Sequence, residues 1–200
     1  MWALLLAHAA RHALLAGVAL LSACVAGAPL GALAALRAGL RPAIVGLAAL
    51  GRTLPSIALL MLLFPILGVG VLPATLALAL LALAPIVINV DLAIRGVAPA
   101  AIDAASGLGM SGTQAFLRVR VPLALPLALS GVRTAAVEVI ASATLATFVG
   151  AGGLGDDIVR ALQTGDPRLL FAASAGVAAM AFAAEFTLAR IVARCEAVVA

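Results

Sequence analysis

The chain contains no lysine and no tyrosine, and only one tryptophan, two cysteines and two histidines among its 200 residues. Each shortage removes a class of function. Without lysine there is no phosphate-binding Gly-x-x-x-x-Gly-Lys-Ser/Thr loop, so any nucleotide hydrolysis belongs to another chain. The formal net charge of +4 comes from arginine alone, with no basic run and no interleaved aromatics, which argues against nucleic acid as a partner. Cys24 and Cys195 lie in apolar surroundings without CxxC or metal-ligand spacing and read as small core residues. His8 and His12 share an i, i+4 spacing that puts them on one helix face, but no third ligand is near, so no metal site is expected. HExxH and GxSxG are both missing, which leaves no catalytic residue and no cofactor to assign.

Charge of either sign is scarce as well. Charged residues make up 10% of the chain and apolar ones 66%, where a soluble domain carries roughly a quarter charged residues. The composition therefore predicts an all-α integral membrane protein with the arginines at membrane boundaries. A span needs about 20 apolar residues, and five such stretches are present. The first runs from about Leu14 to Leu36. It contains Leu21-Ser22-Ala23-Cys24, similar to a lipoprotein cleavage box, but Val25 to Leu36 stays apolar, so a transmembrane helix is the better reading than a cleaved signal. Thr53 to Val90 holds no charge and is too long for one span. Gly68-Val69-Gly70-Val71-Leu72-Pro73 breaks it into span two, about Pro42 to Leu67, and span three, about Pro73 to Ile94. Arg52 and Pro55 predict a kink or break inside span two. Span four covers about Pro122 to Val149 and span five about Leu169 to Ile191. No linker divides residues 1–200 into more than one domain.

The arginines set an expected orientation. Arg37, Arg41, Arg95, Arg118, Arg120, Arg190 and Arg194 fall on one side, and Arg11, Arg160 and Arg168 on the other. The richer side is expected to be cytoplasmic, which puts the N-terminus outside and the C-terminus inside. The polar segment Arg95 to Val121 is then a cytoplasmic loop between spans three and four. Within it, Pro99 suits the first turn of a short helix and Gly107 its end. Ser111 and Gln114 have the spacing of a capping box that starts a second helix.

Asp103-Ala104-Ala105-Ser106-Gly107-Leu108-Gly109-Met110, followed by Val119-Arg120-Val121-Pro122-Leu123-Ala124-Leu125-Pro126, resembles the "EAA" loop of binding-protein-dependent ABC import permeases. Asp103 stands where that family usually has Glu, which keeps the charge with a shorter reach. Thr53-Leu54-Pro55-Ser56 looks like the Thr-Ile/Val-Pro-Ser element of permeases for glycine betaine, choline and related osmoprotectants. Gly150-Ala-Gly-Gly-Leu-Gly155-Asp156 is similar to that group too, and also to methionine and phosphonate permeases. The resemblance covers about residues 51–194, with a coupling loop at about 98–120.

This resemblance implies a permease of the small, methionine-permease-like fold in a bacterial inner membrane. It implies two ATPase subunits, a second permease subunit of the same or a related chain, and an extracytoplasmic substrate-binding protein. Asp103, Ala104, Ala105, Gly107 and Gly109 would couple to the ATPase. The solute would be a compatible solute such as glycine betaine or choline, the alternative being methionine or another small solute. With few aromatics and no tyrosine, the chain is poorly equipped to build an aromatic cage, so tight recognition is expected in the binding protein and weak contact in the pore. Charges within spans are functional candidates. Arg52, Glu138 and Glu185 qualify, with Glu138 a candidate ion-pair partner for Arg52, in either a translocation or a helix-fixing role. Pro55 and Ser56 join them as candidates at the break in span two. Gly152 and Gly153 mark the outer turn, either a re-entrant gate or a tight connection.

Overall fold

The computed structural model describes residues 2–199. Ala and Leu, strong helix formers without polar side chains, dominate the chain, and every regular element among the described residues is helical. The order is α1 (Trp2–Leu36), α2 (Arg41–Thr53), α3 (Ser56–Leu67), α4 (Val71–Gly96), α5 (Pro99–Gly107), α6 (Gly112–Ala115), a π turn (Phe116–Arg120), α7 (Val121–Ser142), a 3-10 segment (Ala143–Val149), α8 (Leu154–Thr164) and α9 (Pro167–Val199).

Four helical stretches are long and apolar enough to cross a membrane, or five when α2 and α3 count as one bent span. The bend between α2 and α3 is 100°. Its cause is local. Pro55 holds φ at −56° with ψ at 135°, Leu54 before it is extended as a residue preceding proline favours, and the helix restarts at Ser56. The break expected at Arg52–Pro55 is therefore present, but its angle makes α2–α3 a folded-back element rather than a straight rod. The second expected break is also present, with Gly68 ending α3 and Gly70 preceding α4, both at positive φ.

Two boundaries differ from the sequence reading. The first helix begins at Trp2 instead of near Leu14, and at 35 residues it is about 50 Å long, well beyond a bilayer core of about 30 Å. The last helix extends through Val199. Hydropathy marks where chain can lie in lipid, whereas a helix continues past that point wherever propensity allows.

α4 is the axis of the bundle and packs against α1, α7, α2 and α3. Small residues let the backbones approach. A Cβ on Gly31 of α1 would lie 2.7 Å from the Val87 carbonyl oxygen, and one on Gly131 of α7 would lie 2.6 Å from that of Pro85. Around these contacts Ala19, Ala23, Ala82, Ile86, Ala135 and Val139 form the core. At the other extreme, α9 is the least enclosed span, and its Phe171, Phe182 and Phe186 are exposed.

Candidate coupling loop and translocation cavity

The loop between α4 and α7 is built by its punctuation. Pro99 occupies the first turn of α5, and the turn after that helix closes through Gly109 at φ 81°. Gly107 is the last helical residue, so the left-handed position falls two residues later than the expected helix end. Ser111 then caps α6 reciprocally with Gln114. The Gln114 amide donates to Ser111 Oγ at 3.3 Å, and the Ser111 amide donates to Gln114 Oε1 at 2.9 Å. The π turn joins α6 to α7 without a break in helical backbone.

Asp103, Ala104, Gly107 and Gly109 are exposed on this loop. Ala105 is not: it is 3% exposed and lies beneath the surface. Helical spacing explains this, since Ala105 faces the chain while Ala104 faces away. Leu108, 80% exposed, was missed. An apolar side chain between two glycines at a helix end was the available signal.

The larger candidate site is an open cavity of about 750 Å3 whose lining includes Arg52, Thr134, Val137, Glu138, Phe182 and Glu185. The bend at Pro55 brings the end of α2 to this place, while α7 and α9 supply the rest. Arg52 and Glu138 thus share one cavity, but they are not ion-paired to each other, contrary to the pairing anticipated from sequence. Glu185 is not a buried acid either. It is 37% exposed and bonded to Arg133, whose Nε donates to Glu185 Oε1 at 2.7 Å. Pro55 and Ser56 sit at the bend and do not line the cavity.

Asp91 and Arg133 were overlooked in the sequence. Asp91 is 1% exposed and accepts from Arg41 Nε at 3.1 and 3.0 Å, with Arg95 Nε 3.3 Å from Oδ1. The i, i+4 spacing of Asp91 and Arg95 was a usable signal. The triad locks α2 onto α4, and α2 carries Arg52.

Gly152 and Gly153 do not line the cavity. They pack against the first helix, where a Cβ on Gly152 would meet Arg11 Nε at 2.9 Å and one on Gly153 would meet His12 Nδ1 at 3.3 Å. Both have positive φ, so glycine is required there for conformation. His8 Nδ1 donates to Asp157 Oδ2 at 2.7 Å, and His12 Nε2 donates to the Ile140 carbonyl at 2.9 Å. His8 thereby ties α1 to α8, and His12 ties α1 to α7.

A family model described as binding-protein-dependent transport system inner membrane component matches residues 27–195. The chain belongs to this family. It is 39% identical over 148 residues to the carnitine transport permease protein OpuCB of Listeria monocytogenes, covering 74% of this chain and 68% of that one. It is 34% identical over 186 residues to the glycine betaine/carnitine/choline transport system permease protein OpuCB of Bacillus subtilis (strain 168), covering 92% of this chain and 85% of that one. In fold it is similar to a chain of the MetNI methionine ABC transporter in an inward-facing conformation. The TM-score there is 0.88 at 21% identity, over 98% of this chain and 97% of that one. The permease is thus a multi-pass inner-membrane transport component with the fold that its loop motif implied.

Proposed function

We propose that this permease forms the translocation pathway of an ATP-driven importer for a compatible solute such as glycine betaine or choline. The observation that carries the solute class is the similarity to the glycine betaine/carnitine/choline permease over 92% of the chain. Residues 1–200 act as one permease domain. It works with a second permease subunit, two ATPase subunits and an extracytoplasmic binding protein, in a membrane with the N-terminus outside and the C-terminus in the cytoplasm. The seven arginines on the loop side against three on the other support that orientation.

In this reading Asp103, Ala104, Gly107, Leu108 and Gly109 seat in the ATPase, and Ala105 supports them from beneath. ATP-driven closure moves the 98–120 loop, and the continuous backbone through the π turn passes the motion to α7, a rigid-body change of the hinge kind. ATP does this only through unequal affinity for the two states. Arg52 and Glu138 face the passing solute. Pro55 and Ser56 set the bend that places Arg52, while Gly152 and Gly153 hold the outer turn closed against α1.

Uptake of labelled glycine betaine, choline and methionine in cells supplying the cognate ATPase and binding protein tests the solute. Betaine or choline accumulation is expected, and accumulation of methionine alone overturns the reading. The methionine alternative rests on fold likeness and on the glycine-rich turn at Gly150–Asp156. For the orientation, single cysteines at positions 98–120 in a background lacking Cys24 and Cys195 should resist a membrane-impermeant maleimide added outside. Rapid labelling from the outer medium overturns it.

A further inference from the structure

Among the described residues, three acids that meet a neighbouring helix have a basic partner. Asp91 is held by Arg41 and Arg95, Glu185 by Arg133, and Asp157 by His8. Arg52 and Glu138, among the described residues, make no side-chain hydrogen bond and no ion pair, although both line the same cavity. Charges at membrane depth are costly and are ordinarily paired. The two lie within reach of each other's charge but are not bonded, so each keeps donor or acceptor capacity for the complementary group of something else.

We propose that the Arg52–Glu138 cavity reads solutes carrying both charges, taking a carboxylate at Arg52 and a methylated ammonium at Glu138. It therefore favours zwitterions such as glycine betaine over a cation lacking the carboxylate, such as choline. This rests on the importer reading above and adds the charge type that the pathway prefers. Three features support it. The guanidinium presents a planar donor fork suited to a carboxylate. Phe182, 74% exposed, lies in the same lining and offers an aromatic face to an ammonium that cannot donate hydrogen bonds. The cavity's volume of about 750 Å3 is within the range of about 300–1,000 Å3 typical of small-molecule sites. One phenylalanine and one carboxylate fall short of a cage, so binding is weak and the solute passes on.

The test is saturation-transfer NMR on the permease–ATPase complex in nanodiscs, without binding protein, titrating glycine betaine and choline and reading their N-methyl resonances. In the wild type, betaine should bind about tenfold more tightly than choline, a preference set by the carboxylate contact. Arg52→Gln should lower betaine affinity about tenfold without lowering that of choline, so that the betaine preference is lost. Glu138→Gln should weaken both. Equal affinities in the wild type overturn the proposal whether or not any variant folds, and so does an Arg52→Gln complex that keeps the full betaine preference. Cellular uptake separates the two levels of failure. Normal osmoprotectant uptake with no preference in the cavity sinks this inference alone, whereas loss of osmoprotectant uptake by the wild type sinks the importer reading.

Discussion

Arg133 on α7 and Glu185 on α9 are ion-paired, with Nε and Oε1 2.7 Å apart, and this contact ties the least enclosed span to the bundle. It borders the cavity without occupying its free charges. Reversing one charge places two like charges side by side, so Glu185→Arg should reduce solute uptake by about tenfold or more. The exchanged pair Arg133→Glu with Glu185→Arg should restore at least about half, the non-additivity expected of residues in direct contact. Uptake in cells expressing equal amounts of each variant measures this.

Asp91 is enclosed between two arginines, so its removal strands both. Asp91→Ala should destabilise the permease by about 3 kcal/mol, seen as a lower melting temperature in mild detergent. Arg41→Ala should cost less, because Arg95 continues to neutralise the carboxylate.

The close helix approach at Gly131 predicts a steric effect that Gly17 does not share. A Cβ at Gly131 would lie 2.6 Å from both Asn89 Cβ and the Pro85 carbonyl oxygen, while one at Gly17 meets nothing within 4 Å. Gly131→Ala should cost about 1–3 kcal/mol by overpacking. Gly17→Ala should be neutral or stabilising by up to about 1 kcal/mol, since alanine is the better helix former. Thermal unfolding of the two variants side by side checks both.

Gly107 tests the proposed coupling surface apart from folding. A Cβ there would meet nothing within 4 Å and the position is exposed, so Gly107→Trp should leave the melting temperature within a few degrees, as surface substitutions do. Solute-dependent ATP hydrolysis by the assembled complex should nevertheless fall by about tenfold, because the tryptophan occupies the surface proposed to meet the ATPase. Full stimulation in that variant counts against the coupling assignment.

His8 and Asp157 act as one tie between α1 and α8, with Asp157 only 2% exposed. Asp157→Ala and His8→Ala should each cost about 1–3 kcal/mol, and the double variant should cost little more than the larger single loss. A double-mutant cycle on unfolding in detergent measures the coupling.

Much of this architecture was legible in the sequence because it depends on local chemistry. The break at Pro55, the glycines that end α3, the proline that opens α5 and the Ser111–Gln114 cap all follow from short-range rules, and each is present. The pairing of charges was not legible. Arg52 and Glu138 were set together as ion partners because both are charges inside spans, yet Glu185 belongs to Arg133 and Asp91 to Arg41. Those partners lie 52 and 50 residues apart, and which of them meet depends on the rotation of each helix about its axis. The bend of 100° had the same obscurity. Proline marks where a helix stops, while packing against α4 decides the direction in which it restarts.

The π turn at Phe116–Arg120 has a mechanical meaning for the whole molecule. Wider winding places roughly one surplus residue in that stretch relative to an ordinary α turn. Excising one amino acid from 116–120 would tighten the coil to regular pitch and leave the elements on either side in nearly their present azimuth. The junction thus holds one residue more than a continuous α coil needs, so a single deletion there should be better tolerated than one inside α7.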